Sequence, residues 1–70
     1  MKGRLRVLRA ERGWTQERLA VAVGVSRQAI NALEAERHEP SLDLAYRIAA
    51  AFDLAVEDVF ANPHREGTTP

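Results

Sequence analysis

The chain has 70 residues, ten basic and ten acidic side chains, two histidines and no cysteine. That length makes one domain, near the lower limit for folding without a disulfide or a metal, and the missing thiols exclude a disulfide framework, thiol catalysis and cysteine-ligated zinc. His38 and His64 lie too far apart for ligand spacing, so neither metal nor cofactor is expected, and no apolar run approaches the ~18 residues of a membrane span. With no secretory leader in view, a reducing cytoplasm is the expected setting.

Strand alternation is absent, and five helical patterns account for nearly all of the chain. The first covers residues 2–12, with Leu5 and Leu8 inward and Gly13 as its stop signal. Thr15 is placed to cap the second helix, with Trp14 before the cap and Leu19 beyond it as a hydrophobic staple. The only Trp is thereby read as a core residue. Residues 16–35, QERLAVAVGVSRQAINALEA, form two short helical patterns hinged at Gly24. Leu19, Ala20 and Val23 share one face of the first, Ile30 and Leu33 share one face of the second, and Val25 sits in the turn. Ala20 is small where the second helix must cross close above it. Gly24 suits a helix end that needs positive φ, and Ser26 supplies the N-cap oxygen that restarts the chain as a helix. This is helix-turn-helix spacing, which projects one helix outward to be read by a partner.

The third helix is expected over 27–36, followed by a loop at Arg37-His38-Glu39-Pro40, because proline disfavours helix in the residue before it. Ser41 caps a fourth helix in which Leu44, Ile48, Ala49 and Phe52 keep helical spacing, and a turn at 53–55 leads to a fifth over 56–60. Residues 1–60 therefore read as one domain and 61–70, with Pro, Gly and Thr and no apolar anchor, as a frayed, flexible tail. The fold class is all-α, a five-helix bundle around one small core that dimerisation would help to stabilise.

Net charge is zero, yet the distribution is polarised. Residues 1–33 carry seven basic side chains against two acidic ones, and residues 34–70 carry three against eight. The projecting helix belongs to the basic half, an arrangement suited to an anionic partner. No Ser–His, Cys–His or paired-carboxylate arrangement can be placed around a cleft, so no enzymatic activity is expected.

The run W-T-Q-E-R-L-A-x-x-x-G-V-S-R-Q-A-I-x-x-L-E, followed by P-S-L and a helix, resembles the phage-repressor/Cro-like helix-turn-helix family, also called XRE-type regulators, and most closely its minimal single-domain members. The resemblance covers about residues 3–60 and implies a lambda-repressor-like domain that binds double-stranded DNA. It places Arg27, Gln28, Asn31 and Ala32 at the outward positions of the third helix, where members contact base edges. Gln16 falls where members touch a phosphate and brace the recognition helix. Arg9 and Glu34 stand where many members place an ion pair joining helices one and three. Arg37 and His38 fall in the loop that approaches the DNA backbone. The chemistry agrees, since Arg pairs with guanine O6 and N7, and Gln or Asn with adenine N6 and N7. Helix N-termini favour phosphate, making Gln16 and the Ser26 end suitable anchors. Arg12 is a further expected phosphate contact.

Three positions depart from the family's pattern. Ala35-Glu36 stands where many members have Asn-Gly, so Glu36 would carry the cost of any positive φ there. Asp53 replaces a helix-ending glycine, and Ala55 replaces a hydroxyl cap. The expectation is a sequence-specific transcription regulator, acting as a repressor through a homodimer on a palindromic operator. Its dimer surface is assigned to Leu54, Val56, Val59 and Phe60, with Leu42 and Tyr46 as contributors, and no small-molecule effector pocket is evident. An antitoxin or a restriction-modification controller would use the same head. A protein-interaction module or transcriptional bridge is the remaining alternative, and the polar side chains at 27, 28 and 31 disfavour it.

Overall fold

The computed structural model describes residues 3–61 and contains α1 (Leu5–Glu11), α2 (Gln16–Val23), α3 (Arg27–Glu34), α4 (Leu42–Phe52) and α5 (Val56–Val59). Among the described residues the only extended pairing is an isolated antiparallel bridge between Gly3 and Phe60. The tail expected to fray lies, beyond Ala61, outside the described residues.

Three helix starts are set by the expected hydroxyls. Thr15 Oγ1, Ser26 Oγ and Ser41 Oγ accept from the backbone N–H groups of Arg18, Ala29 and Leu44 at 3.0, 3.1 and 3.1 Å. Ala55, before α5, provides no such bond. The first helix begins at Leu5 rather than at residue 2. The Arg4 N–H donates to the Val59 carbonyl at 2.8 Å, so the chain ahead of α1 is committed to pairing with the end of α5.

Four helices end by one device. Gly13, Gly24, Glu36 and Asp53 have φ of 68, 77, 60 and 58°. In each case the N–H of the left-handed residue bonds a carbonyl three residues back, and the next N–H bonds one five residues back. The second bonds are Trp14 to Arg9 (2.9 Å), Val25 to Ala20 (3.0 Å), Arg37 to Ala32 (2.9 Å) and Leu54 to Ala49 (2.9 Å). These paired bonds are Schellman motifs, which satisfy the last carbonyls of a helix. Glycine adopts the conformation without a Cβ clash, whereas Glu36 and Asp53 carry a cost, smaller for Asp. Glu36→Gly is therefore expected to stabilise the domain by about 1 kcal/mol. The melting temperature should rise by roughly 4–8 °C; a fall on thermal denaturation would contradict the strain argument.

The interior is built from α2 packing on α3 and α4, α4 on α5, and α1 on α3. Leu19, Ile30, Ile48 and Phe52 are fully buried, and Ala20, Ala45 and Ala49 fill the close crossings. Trp14 is half-buried and stacks on Phe52 with ring centroids 5.2 Å apart, in keeping with its reading as core. Val59 and Phe60, expected on a dimer surface, are instead 1% and 4% exposed. Phe60 turns inward because its backbone is held in the bridge to Gly3, and its ring lies where a Cβ on Gly3 would come within 3.0 Å.

Candidate nucleic-acid interface

The turn at Gly24 sets α3 across α2 with Ile30 and Leu33 inward. Arg27, Gln28 and Asn31 are all exposed on the opposite face. With Gln16, from the first turn of α2, these three line an open cleft of ≈ 300 Å³. A neighbouring hollow of ≈ 360 Å³ is lined by Arg9, Thr15, Gln16, Glu17 and Arg27. The structure thus brings together four of the expected DNA-contacting residues across the junction of the two helix N-termini. Guanidinium offers only donors, while the three carboxamides offer donors and acceptors, which is the equipment needed to discriminate base edges in a major groove.

Beneath the cleft, one carboxylate organises three elements. Glu34 Oε2 accepts from Arg9 Nε at 2.7 Å, and Oε1 accepts from Arg9 Nη2 and from Gln16 Nε2, each at 3.1 Å. Arg9 Nη1 also donates to the Trp14 carbonyl at 2.7 Å. The expected ion pair between helices one and three is therefore present and bidentate, with the Glu34 side chain only 5% exposed. Burial is the largest influence on the Glu34 carboxyl and pushes its pKa up. The hydrogen bonds from Arg9 and Gln16, with the charges of Arg9 and Arg6, outweigh it, so the group titrates below its ordinary range. The hydrogen bond to Glu34 raises the Arg9 pKa. Gln16 is consequently held through its amide nitrogen, which carries a second N–H beyond the one given to Glu34.

Two expected contacts are placed elsewhere. Ala32 is 8% exposed, its methyl group being too short to emerge, and its carbonyl accepts from the Arg37 N–H at 2.9 Å. Arg12 does not line the cleft. Its Nη2 donates to the Phe52 carbonyl at 2.8 Å, and its guanidinium lies 5.7 and 5.2 Å from the Trp14 and Phe52 ring centroids, tying the end of α1 to the end of α4. Ser26 caps α3, and His38 is exposed in the loop after it. Arg37 reaches back to α3, where its Nη2 donates to Asn31 Oδ1 at 3.1 Å. Sequence reasoning missed this link, and also Arg47, whose Nη1 donates to the Val23 carbonyl at 2.8 Å and so closes the end of α2. The i,i+4 pairing of Asp43 with Arg47 was the available signal for the latter.

A recognition helix capped at its start, braced from beneath and exposing polar side chains defines a helix-turn-helix DNA-binding domain. A family model described as helix-turn-helix matches residues 5–59, and the chain belongs to this XRE-type family of transcription regulators. It is 50% identical over 60 residues to an uncharacterised HTH-type transcriptional regulator of Archaeoglobus fulgidus, the match covering 86% of each chain. A similar regulator of Methanothermobacter thermautotrophicus is 52% identical over 61 residues, covering 86% of this chain and 88% of the relative. Among solved structures, the restriction-modification controller protein C.AhdI from Aeromonas hydrophila superposes with a TM-score of 0.74 at 33% identity, covering 79% of this chain and 83% of that one.

Proposed function

We propose that this regulator is a cytoplasmic repressor that binds a palindromic operator as a homodimer and blocks transcription by occupying the DNA. The observation that carries the reading is the convergence of Gln16, Arg27, Gln28 and Asn31 on one open cleft. In this reading Arg27, Gln28 and Asn31 address base edges, while Gln16 and the Ser26 end of α3 meet phosphates, assisted by His38 in the following loop. Two copies would present their recognition helices to successive major grooves ~34 Å apart.

The dimer surface is assigned to the α4–α5 side. Leu54 and Val56, two of the residues expected there, line a hollow of ≈ 590 Å³ with Tyr46, Ala49 and Ala50. Tyr46 is 60% exposed and Leu42 68% exposed, so an apolar rim is open to a second copy. Val59 and Phe60 act behind this surface as part of the core.

Binding-site selection from random duplexes at two salt concentrations tests the proposal, and recovery of an approximate palindrome is the expected result. No enrichment from folded protein would reject sequence-specific binding. Tyr46→Glu should convert the protein to a monomer by sedimentation and weaken the palindrome while sparing half-site binding; an unchanged sedimentation coefficient would move the dimer surface elsewhere. The likeness to C.AhdI favours one variant of this function, control of a restriction-modification operon. In that case the selected operator would lie upstream of such an operon in the same genome.

A further inference from the structure

The residue that follows the left-handed position is apolar at three of the four helix ends, namely Trp14, Val25 and Leu54, and all three pack against the core. After α3 it is Arg37, which is exposed. The same backbone reversal that tucks an apolar side chain inward elsewhere here delivers a guanidinium to the outward face. It bonds Asn31 Oδ1 at 3.1 Å, on the same face as Gln28 and Arg27. Guanidinium carries five donors and no acceptor, so the amide atom that faces it must be the oxygen. The backbone of Arg37 is itself fixed by its N–H bond to Ala32 and by the reversal at Glu36.

We propose that Arg37 is a positioning residue for sequence readout, holding the Asn31 amide so that its Nδ2–H₂ group, and not its carbonyl, addresses the groove. This deepens the DNA-binding reading and rests on it. An unrestrained asparagine satisfies adenine with two bonds, accepting from N6 and donating to N7. With one lone pair of Oδ1 engaged and the amide turned toward Arg37 by that bond, the pair presents mainly donors, the Nδ2–H₂ group and the remaining guanidinium N–H groups. Guanine, which offers acceptors at both O6 and N7, becomes the matching partner, and adenine would leave its N6 donor facing another donor. The base preference at this position is therefore set by a residue outside the recognition helix.

The test compares selected-site matrices for the full chain and for Arg37→Ala, each followed by titration against duplexes carrying guanine or adenine at the position that Asn31→Ala renders indifferent. The unsubstituted protein is expected to prefer guanine there. Arg37→Ala is expected to swing the ratio toward adenine by about fivefold or more, with the other positions unchanged. An alternative role as a simple phosphate contact gives a different result: affinity falls on all sequences, the salt slope shrinks, and the guanine-to-adenine ratio stays put. That outcome overturns the proposal. Asn31→Asp supplies a second check, because it keeps the acceptor for Arg37 and removes the donor. Loss of the guanine preference is expected, and its retention would overturn the assignment. If the unsubstituted protein enriches no sequence at all, both the operator reading and this inference fall together. If it enriches a clear site that Arg37→Ala reads identically, only the inference falls.

Discussion

Glu34→Ala is expected to destabilise the domain by about 3 kcal/mol, the lower end of the range for removing one partner of a buried ion pair. The carboxylate accepts three hydrogen bonds, two from Arg9 and one from Gln16. Its removal leaves the Arg9 guanidinium, whose side chain is 17% exposed, with only the Trp14 carbonyl. Partial access of Arg9 to water is the reason for choosing the lower end. The corresponding fall in melting temperature is roughly 12–24 °C, which for a domain this small means substantial unfolding at physiological temperature.

The same group sets an acid dependence. Because its pKa is lowered in the folded state, the unfolded chain binds the proton more readily, and protonation favours unfolding. The stabilisation is complete above the ordinary value of 4.5 and is lost as pH falls through the depressed folded value. Arg9 is shifted upward, so its contribution is fully present in acid and at neutrality, is lost only in strong alkali, and adds no pH dependence to the acid transition. Thermal melts at pH 7 and in acid should therefore show the two proteins converging at low pH. A constant gap between them would deny Glu34 this role. Gln16 also loses its brace in the variant, so operator affinity should drop even at temperatures where the protein remains folded.

Gln28→Ala is expected to weaken binding to the selected operator roughly 5- to 150-fold, the value of one bidentate base contact. Gln28 is exposed and follows the capped first residue of α3, so folding should be unaffected. Non-specific binding, which depends on phosphate contacts, should change little, and the preference at one base position should relax. Equal loss on operator and random DNA, measured by fluorescence anisotropy, would remove Gln28 from base readout.

The helix-turn-helix was legible because its signals are local. Hydroxyl caps at 15, 26 and 41, the glycine at 24 and the spacing of Leu19, Ile30 and Leu33 each act over a few residues. Glu36, where the sequence raised the cost of a positive φ, adopts one at 60°, and Asp53, standing where glycine is usual, has 58°. Position by position, the start of α1 and the direction of Phe60 were not legible. Both depend on a bridge between the two ends of the described chain, and a helix of four residues has too little periodicity to assign an inner face. The small residue at Gly3 was the available sign of a close approach, since a Cβ there would meet the Phe60 ring. The partners that Arg12 and Arg37 take within the fold were not legible for a different reason. A long flexible cation at the surface has several partners within reach, and its choice between a phosphate, a ring face and a helix carbonyl is made by tertiary structure.

Since backbone hydrogen bonds terminate α1 to α4 wherever the chain turns left-handed, the lengths of these rods do not depend on what α3 displays. The outward lettering at 27, 28 and 31 is therefore exchangeable without redesigning the scaffold, whereas one added or deleted residue between Ser26 and Glu36 would rotate the whole display by about a quarter turn. New operator preferences should accordingly arise by substitution, with positions 31 and 37 rewritten together as a two-character code.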